Sequence, residues 1–224
     1  MPPTAPPASR TALLAGATGL VGRELLAGLL ADARIGQVHT LARRELPASH
    51  PKLVQHRVDF GALAPVPPAD EVYLALGTTI KVAGSQPAFR AVDYDANLAV
   101  ARAAREAGAT RLGLVSAMGA DARSSIFYNR VKGELEQALG GLGYEALVIA
   151  RPSFLAGDRH TLGQPVRSGE QLALKLSTSL RPLIPANYRS IRAADVAAAL
   201  LQALPGSRGT TVLLSGRMQG AARR

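Results

Sequence analysis

The sequence predicts an α/β fold: a doubly wound parallel sheet with helices on both faces and a small C-terminal region covering the substrate side. Three observations predict it. A short apolar run, TALLA (11–15), breaks off at glycine and leads through GATGLVG into a helical pattern. Short apolar runs and helix-period segments then alternate as far as residue 153. From 154 to 192 the rhythm loosens, before one more helix and strand. Such alternation gives parallel strands joined by crossover helices. Right-handed crossovers then place ligands at the carboxyl ends of the strands.

Each element has its own signature. TALLA is apolar and uninterrupted, as suits a strand buried on both faces of a parallel sheet. RELLAGLLADA (23–33) carries the helical period. VHTLA (38–42) is the second strand, and VQHRVDF (54–60), alternating in its middle, the third. After a proline-rich turn comes the fourth, EVYLALG (71–77). DANLAVARAAREAG (95–108) is a helix closed by a glycine. RLGLVS (111–116) is the fifth strand, and FYNRVKGELEQALG (127–140) a helix in spite of Gly133. YEALVIARPS (144–153) is the sixth strand, stopped by proline. AADVAAALLQAL (193–204) and TVLLS (211–215) are the last helix and strand.

Composition narrows the function classes. The 224 residues suffice for one domain with a sizeable core, and 47% of them are apolar. No stretch is long and apolar enough to span a bilayer. The opening MPPTAPPASR does not read as a signal peptide. With no cysteine there is no disulfide, thiolate metal site or cysteine nucleophile. A soluble cytoplasmic protein is expected, with no membrane partner. The net charge of +10 could serve nucleic acid, but aromatics make up only 4%, so a base-stacking surface is not expected. His39, His50, His56 and His160 show no metal-ligand spacing.

Glycines 16, 19 and 22 directly follow the first strand and open a helix. There they permit a tight turn, close approach of a pyrophosphate, and close packing of the helix on the sheet; the helix N-terminus faces the phosphates. The spacing is G-x-x-G-x-x-G rather than G-x-G-x-x-G. At the end of the second strand, where an NAD site usually carries an acid for the ribose, stand Ala42, Arg43 and Arg44. Two guanidiniums there favour the extra phosphate of NADP. NADP(H) is therefore expected over NAD(H).

GATGLVG, LARR, LGTT (76–79), the serine of LVSAMGA and YNRVK together resemble the short-chain dehydrogenases/reductases. More narrowly, LGTT, AFRAVDYD, VSAMGAD, FYNRVKGELE and ARPSFLAGDR resemble the atypical group typified by the human Tat-interacting protein and its small bacterial relatives. The resemblance spans roughly residues 11 to 200. It implies a Rossmann-type NAD(P)-binding domain over 10–224; the prolines of the opening residues read as a disordered tail over 1–9, and the loose stretch 154–192 as a substrate lobe. It implies that Gly16, Thr18, Gly19, Leu20 and Val21 follow the pyrophosphate, with Gly22 packing the helix. It places Arg43 and Arg44 at the 2′-phosphate, Asp59 at the adenine, and Leu76, Gly77 and Thr78 along the ribose. Ser116, Tyr128 and Lys132 match the catalytic serine, tyrosine and lysine, the last two also touching cofactor. Arg151, Pro152 and Ser153 fall beside the nicotinamide. Asp93 stands where many relatives have asparagine, with Asn97 one turn later; neither is assigned to catalysis.

The chemistry of that set is self-consistent. Reducing a carbonyl needs a proton at oxygen from an acid within hydrogen-bond reach. A lysine one helical turn from Tyr128 favours its phenolate, and Ser116 can hold the substrate oxygen. From Arg151 to Arg192 seven basic residues (151, 159, 167, 175, 181, 189, 192) face Asp158 and Glu170. One expectation is an anionic substrate contacting Arg159, Arg167 and Arg189; the other is a solvated basic face. Two further functions stay open: an NADP(H)-binding sensor or regulatory protein, and a nucleotide-sugar epimerase. A monomer or homodimer is expected.

Overall fold

In the computed structural model, which describes residues 9–156 and 185–223, seven strands form one parallel sheet. They are β1 (Arg10–Ala15), β2 (Ile35–Ala42), β3 (Leu53–Arg57), β4 (Glu71–Leu74), β5 (Arg111–Val115), β6 (Ala146–Arg151) and β9 (Gly209–Leu214). Their order is β3-β2-β1-β4-β5-β6-β9, every pairing parallel. A separate small sheet pairs β7 (Leu155–Ala156) with β8 (Ile191–Arg192). The chain winds outward from β1 to β3, returns, and winds the other way from β4. The reversal leaves a crevice beyond the carboxyl ends of β1 and β4, where open parallel sheets of this order bind ligands.

The strands lack polar alternation because both faces are covered. On β1, Ala12 and Leu14 join one core cluster, Leu13 and Ala15 the other. The first cluster lies under α1 (Leu20–Ala31) and α6 (Ala193–Ala203), through Leu25, Leu29, Val196 and Leu200. The second lies under α4 (Asn97–Glu106) and α5 (Phe127–Gly140), through Val100, Ala104, Leu135 and Leu139. Each fully buried leucine is worth about 1.5–3 kcal/mol.

Several boundaries differ from the sequence reading. Helix α1 starts at Leu20, not at residue 23, because Leu20, Val21 and Gly22 already lie in its first turn. Strand β3 ends at Arg57, so Asp59 and Phe60 have left the sheet. The helix expected over 95–108 is the second half of a longer helical run. That run begins with α3 (Gln86–Arg90), capped by Ser85 and carrying proline in its first turn, and passes through a π-helical turn at Ala91–Ala96. A four-residue helix, α2 (Ile80–Ala83), precedes it, and another, α7 (Ser215–Met218), follows β9. No helix among the described residues is long and apolar enough to cross a membrane.

Candidate active site

The glycine loop turns back on itself at the end of β1. Gly16 has φ +95, and a Cβ there would stand 2.4 Å from the carbonyl carbon of Ala75 at the end of β4. A Cβ on Gly22 would lie 1.9 Å from the Gly16 oxygen, so the first turn of α1 sits directly against the loop. Gly19 caps α1 with no side chain, and its N–H donates to the Gly16 carbonyl at 3.0 Å. The amides of Leu20, Val21 and Gly22 lie in the first turn, which has no i→i−4 partners to offer them. Thr18 is exposed on the loop, whereas the Val21 side chain is buried in the core.

At the ends of β2 and β3 lies an open hollow of about 510 Å³. Arg43 and Arg44 line it, as expected positions for a 2′-phosphate would. A third arginine, Arg57, lines it too, with Thr40, Glu45 and His56. Arg57 has the same local signal as the other two, a basic residue at a strand's carboxyl end. His56 Nε2 lies 2.9 Å from Nδ1 of His39, whose pKa is lowered by burial and then by the His56 charge. Asp59 is not among the residues lining this hollow, and its Oδ1 accepts from the Gly61 amide at 2.9 Å.

Lys132 reaches the crevice from α5. Its Nζ lies 2.7 Å from Asp93 Oδ1, both side chains buried. The other Asp93 oxygen accepts from the Thr78 amide at 2.8 Å. Asn97 donates to the Leu76 carbonyl at 3.2 Å. The segment Leu76–Thr78 is thus fastened from beneath by Asp93 and Asn97, and a Cβ on Gly77 would stand 4.0 Å from Lys132 Nζ. The π turn sets this register: it contains Asp93 and delivers Asn97 one turn later. Removing either member of the Lys132–Asp93 pair would strand a buried charge, at about 3–5 kcal/mol.

Tyr128 is half-buried one turn before Lys132. Its ring packs against Phe89, with centroids 5.5 Å apart, and Phe89 is fully buried. Phe89 is therefore the wall that aims Tyr128; the sequence reading quoted it within AFRAVDYD but gave it no role. Among the described residues no hydrogen bond engages the Tyr128 hydroxyl. One turn beyond Lys132 on the same stripe, Glu136 is buried. Ser116 Oγ donates to Glu136 Oε1 at 2.5 Å. Arg151 forks onto both oxygens of Glu136, Nε at 3.1 Å and a terminal nitrogen at 2.5 Å. That pairing raises the Arg151 pKa further.

Gly133, weak by helix propensity, has a steric reason: a Cβ would meet the Ala122 amide nitrogen at 2.1 Å. The loop between β5 and α5 lies across it, pinned where the Asp121 amide donates to the Asn129 carbonyl at 3.1 Å. Pro152 is buried, and the Ser153 hydroxyl is engaged by the Arg189 carbonyl and, at 2.9 Å, by Ser215 Oγ. Asp195, at the start of α6, is held by Arg192 at 2.8 Å and by the Ala222 amide. Arg159, Arg167, Asp158, His160 and Glu170 lie outside the described residues. Among the described residues no cluster of three or more metal-ligating side chains occurs.

No family model matches the chain. It is 36% identical over 159 residues to the mitochondrial protein fmp52 of Emericella nidulans, covering 65% of this chain and 67% of that one. The chain belongs to the FMP52 family. Other FMP52 proteins, at 33–37% identity, also bear mitochondrial names. These names overturn the cytoplasmic location expected from composition, since composition and the look of the first residues carry no reliable address. Solved structures agree on the fold of this FMP52 protein. A short chain dehydrogenase family protein from Francisella tularensis superposes with TM-score 0.70 at 12% identity, over 94% of this chain and 99% of that one. MoeE5 in complex with UDP-glucose and NAD superposes with TM-score 0.67 at 18% identity, over 91% of this chain and 75% of that one.

Proposed function

We propose that this FMP52 protein is an NADP-dependent oxidoreductase acting on a carbonyl or alcohol through Ser116, Tyr128 and Lys132, and that it falls in the atypical short-chain group its motifs resemble. The observation that carries the proposal is the convergence of α5 on the crevice. Lys132 lies beside Gly77 at the reversal point of the sheet, with the glycine loop across from it.

The residues fit the cofactor. Gly16 and Gly22 leave no room for side chains where the backbone must stay close, and the first turn of α1 offers uncapped amides to a pyrophosphate. Arg43, Arg44 and Arg57 offer forked donors to the 2′-phosphate. Leu76, Gly77 and Thr78 would line the nicotinamide-side ribose, with Lys132 beneath them. When bound, NADP(H) supplies or takes up hydride at its nicotinamide ring. Tyr128 then gives or takes the proton at the substrate oxygen. Lys132 holds positive charge one helical turn from the phenol, anchored by Asp93.

The experiment is thermal stabilisation by NADPH against NADH, followed by a carbonyl and alcohol panel read at the nicotinamide absorbance. NADPH at a hundred times its Kd should add about 2.7 kcal/mol of stability. No shift with either nucleotide would remove the cofactor, and a shift without turnover would favour the sensor. The preference has its own test. Arg43→Ala with Arg44→Ala should weaken NADPH binding by about 10²-fold, as two charged hydrogen-bonding groups are lost. NADH binding should change by less than about threefold, because NADH lacks the phosphate; equal losses for both nucleotides would refute the assignment.

A further inference from the structure

Glu136 has no part in the mechanism above, yet it is a buried carboxylate bonded to the serine of the site. Three facts constrain that serine. Its hydroxyl has one proton, and the proton points to Glu136 Oε1 at 2.5 Å. Both Glu136 oxygens accept from the Arg151 guanidinium, which has donors only, so Glu136 faces the serine as an acceptor. Ser116 is itself 5% exposed at the end of β5, its amide donating to the Ala150 carbonyl at 2.8 Å, so its backbone is fixed by the sheet.

We propose that Glu136 is the positioning residue of the site: it fixes the Ser116 hydroxyl so that Ser116 meets the substrate oxygen as an acceptor of a hydrogen bond, not as a donor. The group Ser116 can hold is then one that carries a proton, the hydroxyl of an alcohol or the phenol of Tyr128. Arg151 acts one step further back, holding Glu136 in place through both of its oxygens. The geometry also explains the stripe on α5. Tyr128, Lys132 and Glu136 recur at four-residue intervals, and the last two are each fixed from another element: Lys132 by Asp93 of the π turn, Glu136 by Arg151 of β6.

This inference rests on the proposed oxidoreductase reading for its kinetics but not for its geometry, and the test separates the two. The chain has no cysteine, so Ser116→Cys introduces a single thiol whose thiolate absorbs in the ultraviolet. A carboxylate acceptor at hydrogen-bond distance disfavours the thiolate. The titration midpoint of the Ser116→Cys protein should therefore fall by about one pH unit or more when Glu136→Gln is added. Circular dichroism and NADPH binding serve as fold controls. Equal midpoints would overturn the proposal whether or not a substrate is known. With a turned-over substrate, Glu136→Gln and Ser116→Ala should each lower kcat by about 10-fold or more, and the double variant should be no worse than Ser116→Ala alone. Additive losses would mean that Glu136 serves the fold and not the serine. Absence of turnover in the unmodified protein would count against the oxidoreductase reading only, because the thiol titration still decides the role of Glu136.

Discussion

Tyr128→Phe should lower kcat by about 10²–10⁴-fold, the range a positioned general acid supplies, while NADPH still raises the melting temperature. The substitution is clean for structural reasons. The ring packs on Phe89 at 5.5 Å, and phenylalanine keeps that contact. The hydroxyl makes no hydrogen bond among the described residues, so its removal strands no partner. Lys132 stays paired with Asp93, which leaves the floor under Leu76–Thr78 intact. Loss should therefore fall on kcat and spare both stability and cofactor binding. Single-turnover nicotinamide absorbance and a melting curve with NADPH check both halves. Retained kcat would take Tyr128 out of the chemistry.

The second large effect is steric. Gly133→Ala should destabilise the protein by about 3 kcal/mol, at the upper end of what overpacking costs. For a chain of this size that corresponds to a fall of about 6–12 °C in melting temperature. Helix propensity alone argues the opposite, since alanine is favoured over glycine by about 1 kcal/mol in a helix interior. The contact decides: a Cβ at 2.1 Å from the Ala122 nitrogen cannot be accommodated unless the β5–α5 loop lifts. That contact is backbone and cannot turn aside as a side chain would. Because α5 carries Tyr128 and Lys132, the same variant should bind NADPH less tightly. A melting temperature equal to or above that of the unmodified protein would show that the loop does not press on the helix.

These two residues also mark what can and cannot be read from sequence. The glycine loop was legible because its residue type and its place after a buried strand both point to backbone demands, and Gly16 and Gly22 are indeed where a Cβ has no room. The strands were legible as apolar runs because both faces of the sheet are covered. The helical run through Gln86–Ala96 was not: a proline, two aspartates and the absence of a clean apolar period conceal it, and a π turn follows no 3.6-residue rule. Asp93 was noticed but could not be paired with Lys132, since nothing local links residues so far apart. Glu136 was missed altogether. In GELEQ it looks like a solvated helix charge, and its only signal is the four-residue step from Lys132. Its partners, Arg151 and Ser116, arrive from the ends of β6 and β5.

The covering of the first cluster has a consequence for the order in which the protein is made. Helix α1, which presents the glycine loop, leans on α6: Gly28 gives the space that Leu201 fills, where a Cβ would stand 2.4 Å from its Cδ1. The glycine loop is translated before the helix that braces it. Strand β9, which flanks β6, comes later still. Long-range closure of this kind is slow, because the loop entropy is lost before the contacts form. A nascent chain ending before α6 would carry the complete glycine motif with one side of α1 bare to water. The packing that holds the glycine loop is therefore complete only once α6 has been made, and until then the growing chain exposes an apolar helix face for a chaperone to shield.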